Sequence, residues 1–123
     1  MAGNNIIRII KTAKQKGYKV ILVYSFLQNC TTCIERVKKR VQNGGHNVPE
    51  EDIIRRYYKS ITKFWDEYRL LADEWTLFYN GYEYAPIISS YGIKNEYVIM
   101  NKEIQEDFKS KYDFAKVNIN QNE

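Results

Sequence analysis

The stretch from Ile34 to Trp65 constrains the fold most, because two basic helical segments flank a tight glycine turn there. The turn reads Gly44-Gly45-His46-Asn47-Val48-Pro49. Glycine ends helices by adopting positive φ, and proline is favoured at the first position of a helix. Apolar residues recur at helical spacing before the turn and after it. The sequence therefore predicts a helical hairpin.

Basic side chains form one stripe on each predicted helix of the hairpin. Arg36 and Arg40 are four residues apart and share a face of the first helix. The stripe on the second helix consists of Arg55, Arg56, Lys59 and Lys63. Guanidinium groups bind phosphate oxygens in pairs, so the two stripes would suit a polyphosphate between them. The alternative is a solvated face, because Glu51 and Asp52 have the spacing to pair with the arginines that follow them.

Helix and strand patterns alternate around the hairpin. Apolar positions 6, 9, 10 and 13 predict a helix over 4–16, and the apolar run 19–27 is typical of a strand buried on both faces. The second hairpin helix is predicted to end near Asp73. Strands are predicted over 75–79, 86–89 and 96–100, with a turn at Gly92, and a last helix over 101–112. This order predicts an α/β fold.

Size and charge limit the classes of protein to consider. A chain of 123 residues is expected to form one domain, 1–123, and a net charge of +4 favours anionic ligands. No apolar run of about 18 residues and no signal-peptide pattern occur, so we expect a cytoplasmic protein without a membrane partner. Aromatic residues alternate with basic ones over 57–68, but their helical spacing favours a core over nucleic-acid stacking.

Several motifs of the hairpin match one protein family as they stand. They are Arg36-Val37, Arg40-Val41, Gly44-Gly45-His46, Val48-Pro49-Glu50, Ile53 and Arg55-Arg56-Tyr57. In these motifs the chain resembles the lid of the zeta toxin-like P-loop kinases, and the lid would span about 30–73. Trp75–Asn80 resembles the family's strand before an Asp-Asn-Ser turn, with Tyr79 and Gly81 in place of the Asp and the Ser.

The resemblance implies a partial P-loop NTPase-like layered fold, with mostly parallel strands flanked by helices, and ATP-dependent phosphorylation of a small molecule. Arginines would stabilise the moving phosphoryl group, and the matching positions are Arg36, Arg40 and Arg56. The nucleotide contacts it implies are Arg40, Arg55, His46 and Asn80. ATP with Mg²⁺ is the implied cofactor, although ligands for the ion are not found in this sequence.

One departure from the family changes the expected activity. The phosphate-binding motif G-x-x-x-x-G-K-[ST] does not occur in the sequence. We therefore expect the C-terminal half of such a kinase, which cannot transfer phosphate alone. The phosphate-binding residues would have to come from an N-terminal half on another chain. The apolar Val20–Tyr24 edge would be exposed unless that partner or further copies of this chain covered it.

Two other functions stay open at this stage. One is a non-enzymatic interaction module. The other is a thioredoxin-like redox protein, because Cys30-Thr31-Thr32-Cys33 follows an apolar strand and opens a helix, where thiol pKa values fall. Thioredoxins have no counterpart to the basic hairpin, which favours the kinase hypothesis.

Overall fold

The chain forms a four-stranded sheet with helices packed on one of its faces. The structure, a computed structural model, describes residues 4–27, 30–45, 48–80 and 85–118. In chain order its elements are α1 (Asn4–Gln15), β1 (Ile21–Leu27), α2 (Cys30–Gln42), α3 (Glu50–Lys63), a π-helical turn (Phe64–Tyr68), α4 (Arg69–Leu71), β2 (Glu74–Asn80), β3 (Ile87–Ile93), β4 (Glu96–Ile99) and α5 (Lys102–Asn118).

The helices lie where the sequence predicts them. The long second hairpin helix is confirmed, because α3, the π-helical turn and α4 follow one another without a gap up to Leu71. Within it, the backbone N–H of Arg69 bonds to the carbonyl of Phe64, which widens one turn of the helix. The last helix is longer than predicted and ends at Asn118, not at residue 112. No helix in these described ranges is long and apolar enough to cross a bilayer.

The sheet is mixed, with strand order β1-β2-β3-β4. Only β1 and β2 are parallel, whereas β3 pairs with both of its neighbours in antiparallel fashion. The α/β class is therefore confirmed, but the prediction of mostly parallel strands is wrong. Short links join β2 to β3 and β3 to β4, and short links permit only antiparallel neighbours. The hairpin α2–α3, by contrast, provides the long crossover that the parallel pair β1–β2 requires.

The predicted turn at Gly92 is also wrong. Gly92 lies within β3, where it pairs with Trp75 of β2 and Tyr97 of β4. The turn comes two residues later, at Lys94, whose φ is +51°. Its carbonyl oxygen accepts hydrogen bonds from Arg69 Nη1 at 2.7 Å and from Trp75 Nε1 at 2.9 Å. These two buried donors hold the turn against the end of the long helix.

The core lies between the helices and one face of the sheet. Tyr24 and Phe26 of β1 alternate with exposed residues, and Trp75 and Leu77 of β2 alternate with half-buried ones. They contact buried residues from three helices and from the π-helical turn, namely Ile10, Tyr57, Ile61, Phe64, Tyr68 and Phe108. Phe64 is central, because its ring stacks on Tyr24 at 4.6 Å between ring centroids.

The opposite face of the sheet is open among the described residues. Ile21 and Val23 of β1 remain 60% and 55% exposed, and Val98 of β4 remains 52% exposed. The prediction that β1 is buried on both faces is therefore wrong. An apolar run predicts a strand, but its burial depends on what packs on each face. Within the described part of the chain, β1 is also an edge strand, paired only with β2.

Candidate functional site

A cleft opens between β1 and the helical hairpin. Its volume is about 530 Å³. Residues from β1, α2, α3 and the turn between the helices line it: Tyr24, Ser25, Phe26, Leu27, Val37, Arg40, Val48, Ile53, Arg56, Tyr57 and Ser60. We refer to it as the arginine cleft. Its β1 residues are the last four of that strand, so the cleft lies at the carboxyl end of β1, where α/β sheets commonly bind ligands.

Local sequence explains how the hairpin is closed. Gly44 has a φ of +95°, which glycine adopts without strain, and the N–H of Gly45 bonds to the carbonyl of Arg40 at 2.8 Å. A β-carbon at Gly45 would lie 2.9 Å from that carbonyl oxygen. Across the hairpin, Lys38 Nζ of α2 is 3.4 Å from a carboxylate oxygen of Glu50 in α3. The double glycine is thus required by the geometry of the turn.

Two of the predicted arginines meet at this cleft. Arg40 extends from α2 and Arg56 from α3, and both line it. Neither forms an ion pair with any residue that the structure describes. The apolar wall formed by Phe26, Val37 and Ile53 lies beside them. Guanidinium groups next to an apolar wall attract an anion more strongly than fully solvated ones do.

The other predicted site residues lie elsewhere. Arg36 lines an adjoining groove of about 570 Å³, which shares Arg40 with the arginine cleft. Arg55 does not line the cleft, and its Nη2 is 3.2 Å from Asp52 Oδ1. The pair spans three residues, whereas the predicted pairs of Glu51 with Arg55 and Asp52 with Arg56 span four. Asn80 ends β2 opposite Leu27 but does not line the cleft. His46 lies outside the described residues.

The hydroxyl groups of the cleft were not predicted from the sequence. The Tyr24 hydroxyl and Ser60 Oγ are 2.6 Å apart, and Ser60 Oγ donates to the carbonyl of Tyr57 at 3.0 Å. The Tyr57 hydroxyl donates to the carbonyl of Leu27 at 2.7 Å and so joins α3 to the end of β1. Helical spacing assigns Tyr57 to the core, where its ring lies. The spacing carries no information about the position of its hydroxyl group.

The hairpin carries a net positive charge. Residues 30–63 contain eight basic and four acidic side chains, a net charge of +4 that equals that of the whole chain. Residues 1–29 carry five basic and no acidic side chains, whereas residues 64–123 carry six basic and eleven acidic ones, so the remainder sums to zero. The hairpin is thus one of two basic regions of the chain, and its charge favours the approach of anions to the cleft.

The described geometry bears on a metal site but not on the two thiols. In the ranges that the structure describes, no three His, Cys, Asp or Glu residues are close enough to hold a metal ion. The arginine cleft is lined by no carboxylate among those same residues, so it fits the phosphates of a nucleotide better than the Mg²⁺ that accompanies them. Cys30 begins α2 directly after β1, as predicted, but both thiols lie outside the described side chains.

Comparisons with known proteins give one relative. An uncharacterized protein of Haemophilus influenzae is 39% identical to the chain over 57 residues, which cover 46% of the chain and 41% of the relative. The matched stretch therefore spans less than half of either protein. No protein-family model matches the chain. No solved structure matches it at a significant level.

Proposed function

We propose that the chain binds the phosphate groups of ATP in the arginine cleft and forms the lid-bearing half of an ATP-dependent small-molecule kinase similar to the zeta toxins. The observation that carries this proposal is the convergence of Arg40 and Arg56, from two helices, on one cleft without a carboxylate partner in the described chain. Phosphoryl transfer builds negative charge on the moving group, and fixed guanidinium groups stabilise that charge.

Each arginine has a distinct role in this proposal. Arg40 and Arg56 bind phosphate oxygens from opposite sides of the cleft, whereas Arg36 extends the basic surface along the adjoining groove. The two arginines supply the charge of the cleft, and its aromatic residues Tyr24, Phe26 and Tyr57 suit the less polar part of a ligand. The arginine cleft would hold phosphates, but it supplies neither a P-loop nor a complete set of Mg²⁺ ligands.

The proposal predicts that a fluorescent ATP analogue binds the purified chain and that Arg40→Ala and Arg56→Ala each raise its Kd about tenfold or more. The reason is the loss of one charge-assisted contact, about 1.5–3 kcal/mol. Fluorescence anisotropy at fixed ionic strength measures both constants. Arg55→Ala is the matched control, because Arg55 neighbours Arg56 but pairs with Asp52 outside the cleft.

Two outcomes would contradict the proposal. One is binding that weakens equally in Arg55→Ala and Arg56→Ala, because net charge alone would then explain it. The other is the absence of binding by the unaltered chain at about 1 mM analogue and low salt. We expect no ATP turnover by the chain alone. Turnover abolished by Arg40→Ala would show that no second half is needed.

A non-enzymatic interaction module is the second candidate function, favoured by the uncovered sheet. β1 carries seven residues without charge, proline or bulge along its free edge. Natural edge strands usually carry a charge, a proline or a bulge, which prevents pairing with another chain. A partner strand placed beside β1 would also border the arginine cleft, because consecutive residues 24–27 line it. A second chain that supplies the phosphate-binding half would fit this position.

Without such a partner, we expect the chain to self-associate through the open sheet face. Sedimentation velocity should show species heavier than a monomer at micromolar concentration, and Val23→Glu should shift them towards monomer because a buried carboxylate is unfavourable. Val117→Glu is the control, since Val117 is 62% exposed but lies on α5, away from the sheet. A stable monomer of the unaltered chain would contradict this prediction.

A further inference from the structure

A second cavity lies between the π-helical turn, β4 and α5. Its volume is about 310 Å³ and it shares no lining residue with the arginine cleft. Trp65, Tyr97 and Phe108 form its aromatic walls, and Gln105 also lines it. We refer to it as the Gln105 pocket. Its volume is at the lower end of the range for sites that bind small molecules.

The aromatic walls are held in place by contacts outside the pocket. The Trp65 ring lies 5.4 Å from that of Tyr97 and 5.7 Å from that of Phe108, measured between centroids. The Arg69 guanidinium is 3.9 Å from the Trp65 ring centroid. Burial lowers the pKa of Arg69. The hydrogen bond from this side chain to the carbonyl of Lys94 holds it in position. The walls are therefore formed before any ligand binds.

Gln105 supplies an oriented donor inside this pocket. Its Oε1 accepts hydrogen bonds from Ser89 Oγ and Ser90 Oγ, each at 2.7 Å, and both serines are fully buried. These bonds leave the amide nitrogen on the other side of the side chain. No residue in the described ranges accepts a hydrogen bond from that nitrogen, although Gln105 is only 8% exposed. An amide with an unused donor at the wall of a cavity favours a ligand with an acceptor atom.

The rim of the pocket adds positive charge. Lys102 and Lys109 of α5 line it together with one carboxylate, Glu106. Neither lysine forms an ion pair with a residue that the structure describes. A ligand that uses the walls, the amide and the rim is therefore flat, apolar over its ring, and anionic at one end.

We propose that the Gln105 pocket binds a small planar aromatic carboxylate. The ring lies against Trp65, Tyr97 and Phe108, and one carboxylate oxygen accepts a hydrogen bond from Gln105 Nε2. Lys102 and Lys109 attract the remaining charge. This site is independent of the arginine cleft, because it uses different residues from different elements.

The test uses 2-naphthoate as the probe and the full chain as the protein. Isothermal titration should detect binding, and the side-chain amide signal of Gln105 in nitrogen-15 spectra should shift as the probe is added. Gln105→Glu should weaken binding at least about tenfold, because the second oxygen repels the probe while the serine hydroxyls keep their acceptor. Inorganic pyrophosphate should not displace the probe, which separates this site from the arginine cleft.

A surface variant keeps the proposal testable if Gln105→Glu does not fold. Lys109→Gln should weaken binding about threefold to tenfold, whereas Lys111→Gln should leave it unchanged. Lys111 belongs to the same helix but pairs with Asp107 and does not line the pocket. The proposal fails if about 10 mM 2-naphthoate does not bind, if Lys109→Gln and Lys111→Gln behave alike, or if 2-naphthalenemethanol binds as tightly.

Discussion

Replacement of Phe64 by alanine is expected to lower the free energy of unfolding by about 3–5 kcal/mol. Phe64 has no exposed surface, and its ring stacks on Tyr24 and meets Trp75 edge-on at 5.9 Å between centroids. The truncation removes the ring where β1, β2 and the long helix meet and leaves a cavity. Urea unfolding followed by circular dichroism measures the change through the transition midpoint.

Phe114→Ala is the matched control for this prediction. Phe114 is 47% exposed on α5 and contacts the Tyr58 ring at 5.0 Å between centroids. We expect it to cost about 1 kcal/mol or less, because little apolar area becomes newly exposed. Equal losses for the two variants would mean that Phe64 is not central to the core.

Gly92→Ala is expected to cost about 3 kcal/mol, the second large effect. A β-carbon at Gly92 would lie 2.6 Å from both Cα and Cβ of Tyr97 and would overlap the carbonyl oxygen of Glu96. Backbone atoms cannot move aside as the end of a side chain can, so β3 and β4 would have to separate. Because Tyr97 is also a wall of the Gln105 pocket, the same variant should weaken binding of 2-naphthoate there.

Gly17→Ala separates this steric effect from the conformational effect of glycine. Gly17 has a φ of +85°, and no atom lies within 4 Å of the β-carbon that it would gain. We expect this variant to cost about 1 kcal/mol, the strain of a left-handed conformation. A smaller loss for Gly92→Ala than for Gly17→Ala, measured by the same urea transitions, would show that the β3–β4 pairing is looser than described.

The candidate site was predictable only in part from the sequence. Helical spacing places Arg36 and Arg40 on one face, and the double glycine predicts the turn that brings a second helix near them. Spacing cannot show that Arg56 lines the cleft while its neighbour Arg55 pairs with Asp52 outside it. Adjacent residues of a helix differ by about 100° in direction, so the packing of α3 decides between them.

Gln105 is a second site residue that the sequence alone could not identify. In the sequence it is one polar residue within a predicted helix, and no motif marks it. Its significance depends on Ser89 and Ser90, two residues of a strand that precedes it by about fifteen positions. Only the packing of α5 on β3 brings the three side chains together and places Gln105 at the wall of a cavity.

By itself, the sequence determined the order of helices and strands, the glycine turn and the basic stripes of the hairpin, because each depends on residues close together in the chain. Tertiary structure alone decided three other features: which arginines share a cleft, which sheet face stays open, and why β3 requires a glycine within the strand. Each of these depends on contacts between distant segments, and the pattern within one segment does not specify what packs against it.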